Sequence, residues 1–223
     1  MTLDFLSLYQ ECAGQPWSMF DSDPDSVEDF ESGMKISINK AISTIWNLQP
    51  WAFRKDTLTF KIKTGTNEYS VPDGDICTKV ISGKTRYDVK IDGKKLGYIE
   101  NYEDLDELLT GKPENFFVED EKIYFDKLPD KSYEVTIKYL LNPYGLDGKK
   151  KKIYELQKDD DYINISTKYE TKFKNCVISL AMMYAIAEET DENYSAYKKQ
   201  YDDAINVLVS ACNTKLKRRK IIW

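Results

Sequence analysis

The sequence predicts an α+β protein in which both ends of the chain form an α-helical bundle and the middle forms an inserted antiparallel β-sandwich or meander. Apolar residues recur every three to four positions before residue 50 and again after residue 166, which is the spacing of an amphipathic helix. From Thr57 onward, β-branched and aromatic residues alternate with polar ones in short runs bounded by turn residues, which indicates strands. Pro50 lies where the pattern changes, and proline is expected to end a helix.

Two helices are predicted before Pro50. The first covers Leu3 to Cys12, with Thr2 as its cap and an apolar face of Phe5, Leu6, Tyr9 and Cys12. After an acidic stretch, Ser26 is the expected N-cap of a second helix. Its apolar stripe consists of Val27, Phe30, Met34, Ile38, Ala41, Ile42 and Ile45.

The middle of the chain predicts about eight short strands and one small helix, around Tyr102 to Leu109. The strand-like runs are TLTFKI, EYSV, ICTKVIS, YDVKI, KLGYI, NFFVE, KIYFD and SYEVTIKYLL. A polar segment follows, with Pro143, the lysine run Lys149 to Lys152 and at most one strand, at Ile153 to Leu156. Two further helices close the chain, with stripes centred on Phe173 to Leu180 and on Tyr197 to Leu208.

These elements give five predicted segments. Residues 1–54 supply the N-terminal helices of the bundle, 55–142 the inserted β-domain and 143–166 a connecting loop. Residues 167–216 form the C-terminal helical hairpin, and 217–223 form a basic and apolar tail. Because the helices at each end need one another's apolar faces, they are expected to pack together.

Composition narrows the classes of function. Of the 223 residues 41% are hydrophobic, enough for an ordered core. The net charge of −6 argues against a basic nucleic-acid reader. No apolar run of about 18 residues is present, and the first residues are acidic where a signal peptide is basic; we therefore expect no membrane association and no secretion by that route.

The absence of histidine from the chain removes the commonest general base and the commonest zinc ligand. The four cysteines are far apart in sequence and are expected to be reduced and buried. Asp21, Asp23 and Asp25 have calcium-loop spacing but lack its glycine and glutamate, and Asp159 to Asp161 form no ligand pattern. We therefore predict no enzymatic activity, no cofactor and no metal.

Two sites with a structural role are predicted. Trp46, Pro50, Trp51 and Phe53 are expected to form a rigid aromatic hinge where the helical part is joined to the sheet. The tail combines basic residues with three apolar ones, a composition suited to docking: Trp223 would anchor in a partner's pocket and the basic residues would pair with its acidic rim. The predicted docking residues are Lys217, Arg218, Arg219, Lys220, Ile221, Ile222 and Trp223.

The order of turns and aromatic residues supports a further interpretation. It comprises Trp46, Pro50 and Trp51, then Thr57 to Phe60, Gly65, Tyr69 to Pro72, Gly111 to Pro113, Phe117-Val118, Ile123 to Phe125, Leu128 to Asp130, Tyr133 to Tyr139, Asn142-Pro143 and the closing helices Phe173 to Ala187 and Tyr194 to Ile205. This order resembles that of the head-to-tail adaptor (connector) proteins of tailed bacteriophages, especially the tail tubular protein A type of short-tailed phages. The acidic stretch and Lys149 to Lys152 do not belong to the pattern.

The resemblance implies a structural virion protein that is assembled in the host cytoplasm and forms a homo-oligomeric ring, commonly of twelve copies. The ring would bind the portal protein above it and downstream tail or ring proteins below it, and DNA would pass through without specific binding. A β-sandwich module that binds a ligand, for example a carbohydrate, is the alternative, with Tyr98, Tyr102 and Phe116 as stacking platforms. A hydrolase that uses carboxylates alone is a third hypothesis, without a recognisable motif.

Overall fold

The computed structural model describes residues 3–15, 27–71, 74–76, 78–81, 84–100, 109–119, 122–186 and 192–212. Within them the chain is a mixed α+β protein with four α-helices and several β-sheets. It divides into two units, one formed by Met1–Phe53 with Pro143–Trp223 and the other by Arg54–Asn142. The first unit therefore draws on both ends of the chain.

The first unit contains α1 (Phe5–Ala13), α2 (Val27–Asn47), α3 (Thr167–Ala185) and α4 (Glu192–Ala211). Helix α3 packs against each of the other three, and its central residues from Phe173 to Met182 are largely buried. The predicted stripe of α2 is confirmed from Met34 to Ile45, because Met34, Ile38, Ala41, Ile42 and Ile45 are all buried. Helix α4 buries Tyr197, Tyr201 and Leu208; Tyr197 and Tyr201 are thus core residues.

Helix α1 differs from its prediction at the cap and on its buried face. The cap is Asp4, whose Oδ1 accepts a hydrogen bond from the Ser7 N–H at 2.7 Å, so Thr2 is not the cap. Leu8 is buried where Leu6 was expected, and Leu6 is 40% exposed. The backbone explains this orientation: the Phe5 N–H donates to the Asp161 carbonyl at 2.9 Å, which fixes the rotation of the first turn.

The segment predicted as a connecting loop contains a small sheet. Strand β12 (Gly145–Leu146) lies between β13 (Lys152–Ile153) and β14 (Tyr162–Ile163), and both pairs are antiparallel. The one strand predicted here, Ile153 to Leu156, overlaps β13 only at Ile153, because strands of two residues carry too little periodicity to be located in a sequence. A Cβ on Gly145 would lie 2.8 Å from Leu156 Cδ2, so any larger residue would require the neighbouring side chains to shift.

The second unit holds strands β1 to β11. Their bounds are β1 (Lys55–Ile62), β2 (Glu68–Ser70), β3 (Gly74–Ile76), β4 (Thr78–Ile81), β5 (Lys84–Tyr87), β6 (Val89–Ile91), β7 (Lys94–Lys95), β8 (Gly97–Tyr98), β9 (Asn115–Glu119), β10 (Lys122–Phe125) and β11 (Tyr133–Leu141). One sheet has the order β1-β11-β6-β7, with β3 also paired to β11; a second has the order β2-β10-β9-β8, and β4 pairs with β5.

Two features depart from a purely antiparallel meander. The first strand of this unit pairs with its last, with Leu58 opposite Ile137, so neighbours in the sheet are distant in sequence. Strands β8 and β9 are parallel, with Tyr98 opposite Phe116. Of the predicted helix around Tyr102 to Leu109, residues 101–108 lie outside the described residues, and Leu109 is not helical.

The core of the second unit is built by alternation. Every second residue of β11 from Tyr133 to Leu141 is buried, as expected for a strand with one face towards a core. Side chains from the two larger sheets share one cluster: Ile62, Val89, Ile91, Phe116, Ile123, Phe125, Tyr133, Val135 and Ile137. Arg54, 4% exposed, begins this unit and donates through Nε to the Leu141 carbonyl at 2.9 Å.

Candidate functional site

The aromatic corner, which we define as Trp46, Pro50, Trp51 and Phe53, lies at the point where the chain leaves the helical unit. Trp46 belongs to the last turn of α2, and the proline follows that helix. Trp46 and Trp51 are 0% exposed, while Pro50 is exposed and Phe53 half-buried. The two tryptophans are therefore core residues, and the proline forms the outside of the bend.

Hydrogen bonding and ring packing hold the corner in one geometry. Trp51 donates from Nε1 to the Ile45 carbonyl at 2.6 Å, which satisfies a carbonyl at the end of α2. The Trp51 and Phe53 rings stack with centroids 5.5 Å apart and planes at 12°. Phe53 also meets Phe173 of α3 edge-on at 5.6 Å. The corner is thus tied to α3 as well as to α2, which restricts rotation of the chain at this bend.

Trp46 is the centre of a larger aromatic cluster inside the helical unit. Its ring lies 5.5 Å from Phe53, 6.3 Å from Tyr144 and 6.3 Å from Phe173, centroid to centroid. The last of these is close to perpendicular, at 88°. Edge-to-face pairs of this kind add to the energy of burial. The cluster therefore joins α2 and α3 to Tyr144. This residue directly follows Pro143, where the chain returns to the helical unit.

Sequence reasoning missed two polar residues of this region, Asn39 and Gln49. The Asn39 Oδ1 accepts from the Leu156 N–H and the Tyr144 hydroxyl, both at 2.9 Å, and its Nδ2 donates to the Leu156 carbonyl at 2.9 Å. The signal was an asparagine in the interior of a helix, beside the apolar stripe, where it is unfavourable unless bonded. Gln49 is 9% exposed, and its amide atoms find no hydrogen-bond partner among the described residues.

A groove of about 430 Å³ runs along α1, α3 and α4 on the surface of the helical unit. Its lining includes the apolar residues Ile178, Ala204 and Val207 and the charged residues Glu11, Lys172 and Asp203. Val207 is 53% exposed. This mixture of apolar and oppositely charged groups resembles the composition of a protein contact surface more than that of an enclosed pocket for a small ligand.

The thiols of the helical unit are chemically inert. Cys12, Cys176 and Cys212 are free and buried, which confirms that prediction for three of the four cysteines. Burial raises the pKa of Cys12 and of Cys176 to about 12, so both remain protonated at neutral pH and cannot act as thiolate nucleophiles.

The acidic residue Asp161 organises its own loop. It is 2% exposed, and its Oδ2 accepts from the Gln157 and Lys158 N–H groups at 2.7 and 2.8 Å. Within the part of the chain that the structure describes, no group of three or more Cys, Asp or Glu side chains is arranged to hold a metal ion. Asp21, Asp23 and Asp25 lie outside that part.

The aromatic residues considered as carbohydrate platforms are not available together. Phe116 is 0% exposed and belongs to the core of the second unit. Tyr98 is half-buried and packs edge-on against it at 5.5 Å. Tyr102 lies outside the described residues. A sugar stacks on an exposed ring face, so the buried position of Phe116 corrects its assignment as a platform.

The docking tail also lies outside the described residues, which end at Cys212. None of the described helices is long and apolar enough to cross a membrane. No protein-family model and no curated protein matches this chain.

Proposed function

We propose that this protein is a structural component of a tailed-phage virion, the head-to-tail adaptor that forms a ring beneath the portal. The observation that carries the proposal is the assembly of one helical unit from both ends of the chain, Met1–Phe53 with Pro143–Trp223, around an inserted β unit. In this proposal the four helices form a bundle, and the two larger sheets, which share one hydrophobic cluster, form a sandwich.

A ring needs a heterologous interface, in which two different surfaces of each copy meet and the rotation closes. The helical unit offers exposed apolar side chains for such a contact: Ile36 at 66%, Val207 at 53% and Leu48 at 43% exposure. The groove along α1, α3 and α4 adds charged side chains of both signs, which favour one register between neighbouring copies. The proposed ring has about twelve copies on the family resemblance, and it binds the portal and downstream tail proteins.

The proposed conduit role agrees with the charge of the chain. Each cation that neutralises a phosphate adds salt-dependent affinity and slows the passage of DNA. A net charge of −6 per copy, repeated around a ring, gives a lumen that repels DNA on average. The aromatic corner serves this role as a rigid hinge between the part that meets the portal and the part that meets the tail.

The tail, Lys217 to Trp223, is the proposed portal-docking segment. Deletion of these seven residues is expected to leave the secondary structure unchanged and to abolish capture by the portal protein of the same phage, because the apolar anchor and its basic flank are lost together. Circular dichroism and a pull-down on immobilised portal measure the two effects.

Two matched variants separate the contributions within the tail. Replacing Ile221, Ile222 and Trp223 by serine removes the apolar anchor and keeps the charge. Replacing Lys217, Arg218 and Arg219 by glutamine removes three positive charges and keeps the anchor. We expect the serine variant to lose capture at all salt concentrations. The glutamine variant should be captured less than the wild type mainly at low salt, where the attraction between charges is screened least. Capture of the full deletion at the wild-type level would contradict the docking role.

A further inference from the structure

A buried polar side chain at the aromatic corner lacks a hydrogen-bond partner. Gln49 directly precedes Pro50 and is 9% exposed, and neither its Nε2 nor its Oε1 is bonded to any residue that the structure describes. A glutamine amide offers two N–H donors and one carbonyl acceptor, and buried polar groups are in the great majority hydrogen-bonded. The Gln49 amide therefore needs a partner that the described residues do not supply.

The last described residue of the chain lies at the same corner. Cys212, which follows α4, is 5% exposed, and its sulfur accepts a hydrogen bond from the Ala52 N–H. The Trp51 N–H donates to the Gln49 carbonyl at 2.8 Å. The chain therefore bends sharply at Pro50, and Gln49 stays close to Ala52. The residues that follow Cys212 begin near the Gln49 amide.

The segment directly after Cys212 is long enough to reach Gln49. We refer to residues 213–216, which lie outside the described residues, as the tail root. Gln49 and Ala52 are three positions apart, at most about 11 Å, and four extended residues span about 13 Å. Because the tail root is held covalently within this reach, its effective concentration at Gln49 is about millimolar, far above that of a free protein partner.

We propose that the tail root lies along the aromatic corner and that its backbone N–H and carbonyl groups pair with the Gln49 amide. An extended backbone offers one donor and one acceptor at each residue, which matches the groups that the carboxamide leaves unpaired. Pro50, the next residue, is exposed and apolar. Since side chains alternate along an extended segment, Leu216 covers the Pro50 ring while Lys215 points to solvent.

This contact fixes the place from which the docking tail, residues 217–223, leaves the helical unit. The contact itself lies within one chain and depends on neither the ring nor the portal. Its consequence for assembly rests on the proposed docking role: a portal that holds the tail is then connected to the aromatic corner through four ordered residues. Docking and the hinge are thereby joined at one point of the fold.

Amide hydrogen exchange of the full chain, followed peptide by peptide, tests the contact. The tail root is expected to exchange at least about tenfold more slowly than residues 217–223 of the same molecules, at every protein concentration. Gln49→Leu is expected to abolish this difference, because leucine keeps the approximate volume of the side chain and removes its donors and acceptor. No portal is used, so the result is independent of the capture experiment.

A second variant and a matched control separate this contact from a general loss of structure. Leu216→Ser weakens the contact from the side of the tail root, and we expect it to lose most of the protection without faster exchange in α2 or α4. It decides the case if Gln49→Leu disturbs α2. The control is Gln10→Leu, the same substitution at an exposed position of α1, which should keep the wild-type protection of the tail root.

Equal protection of the tail root in the wild type and in Gln49→Leu would overturn the proposal and assign the Gln49 amide to a buried water molecule. A tail root that exchanges as fast as residues 217–223 in the wild type would overturn it too. Protection that increases with protein concentration would show that the tail root of a second copy occupies the corner, which contradicts a contact within one chain.

Discussion

Replacement of Trp46 by alanine is expected to lower the free energy of unfolding of the helical unit by about 3–5 kcal/mol. The side chain is 0% exposed and contacts the rings of Phe53, Tyr144 and Phe173. Its truncation would remove the centre of the cluster and leave a cavity that α2 and α3 cannot close without moving. Because the chain has two units, a single unfolding transition cannot be assumed.

Urea titration combined with hydrogen exchange of separate peptides measures this effect unit by unit. The control is Ile36→Ala in the same helix, where the side chain is 66% exposed, and the expected change is within about 0.5 kcal/mol. A Trp46→Ala protein whose helical peptides exchange like those of the control would contradict the role given to the cluster.

Replacement of Asn39 by alanine is expected to lower the stability of the same unit by about 2–4 kcal/mol. It leaves the N–H and carbonyl of Leu156 and the Tyr144 hydroxyl without their partner. These bonds join α2 to Tyr144 and to Leu156, which lies between β13 and β14, so we expect faster exchange at Leu156 as well as in the helix.

Asn206→Ala in α4 is a matched control for this prediction. Asn206 is exposed, and its Nδ2 donates to the Asp202 carbonyl one turn earlier, so alanine, the better helix former, should have little effect or stabilise slightly. If the two alanine variants have equal stability, the Asn39 contacts do not hold the loop.

The sequence predicted the longest elements well because each repeats its pattern over several turns or residue pairs. The five buried apolar positions of α2 from Met34 to Ile45 follow the helical period, and β11 shows alternation over nine residues. Helix α1 has only nine residues, too few for its pattern to decide between Leu6 and Leu8. That choice depends on the backbone bond from Phe5 to Asp161, which is a tertiary contact.

The other differences between the predicted and the observed structure also depend on tertiary contacts. The pairing of β1 with β11, the parallel pair β8 and β9 and the small sheet at Gly145 all depend on residues that are far apart in sequence or on strands of two residues. At the candidate site, the sequence identified Trp46 and Trp51 as part of an aromatic corner but did not predict that both are fully buried. The stacking of Trp51 on Phe53 and the bonds of Asn39 required the positions of α3 and of residues 144–156.

The most direct test of the proposed adaptor role is the mass of the purified protein, measured alone and after mixing with the portal protein of the same phage, with negative-stain images of both samples. A closed ring on its own, or a ring that forms on the portal, is the expected result. A protein that remains monomeric in both samples and does not bind the portal would contradict the proposal.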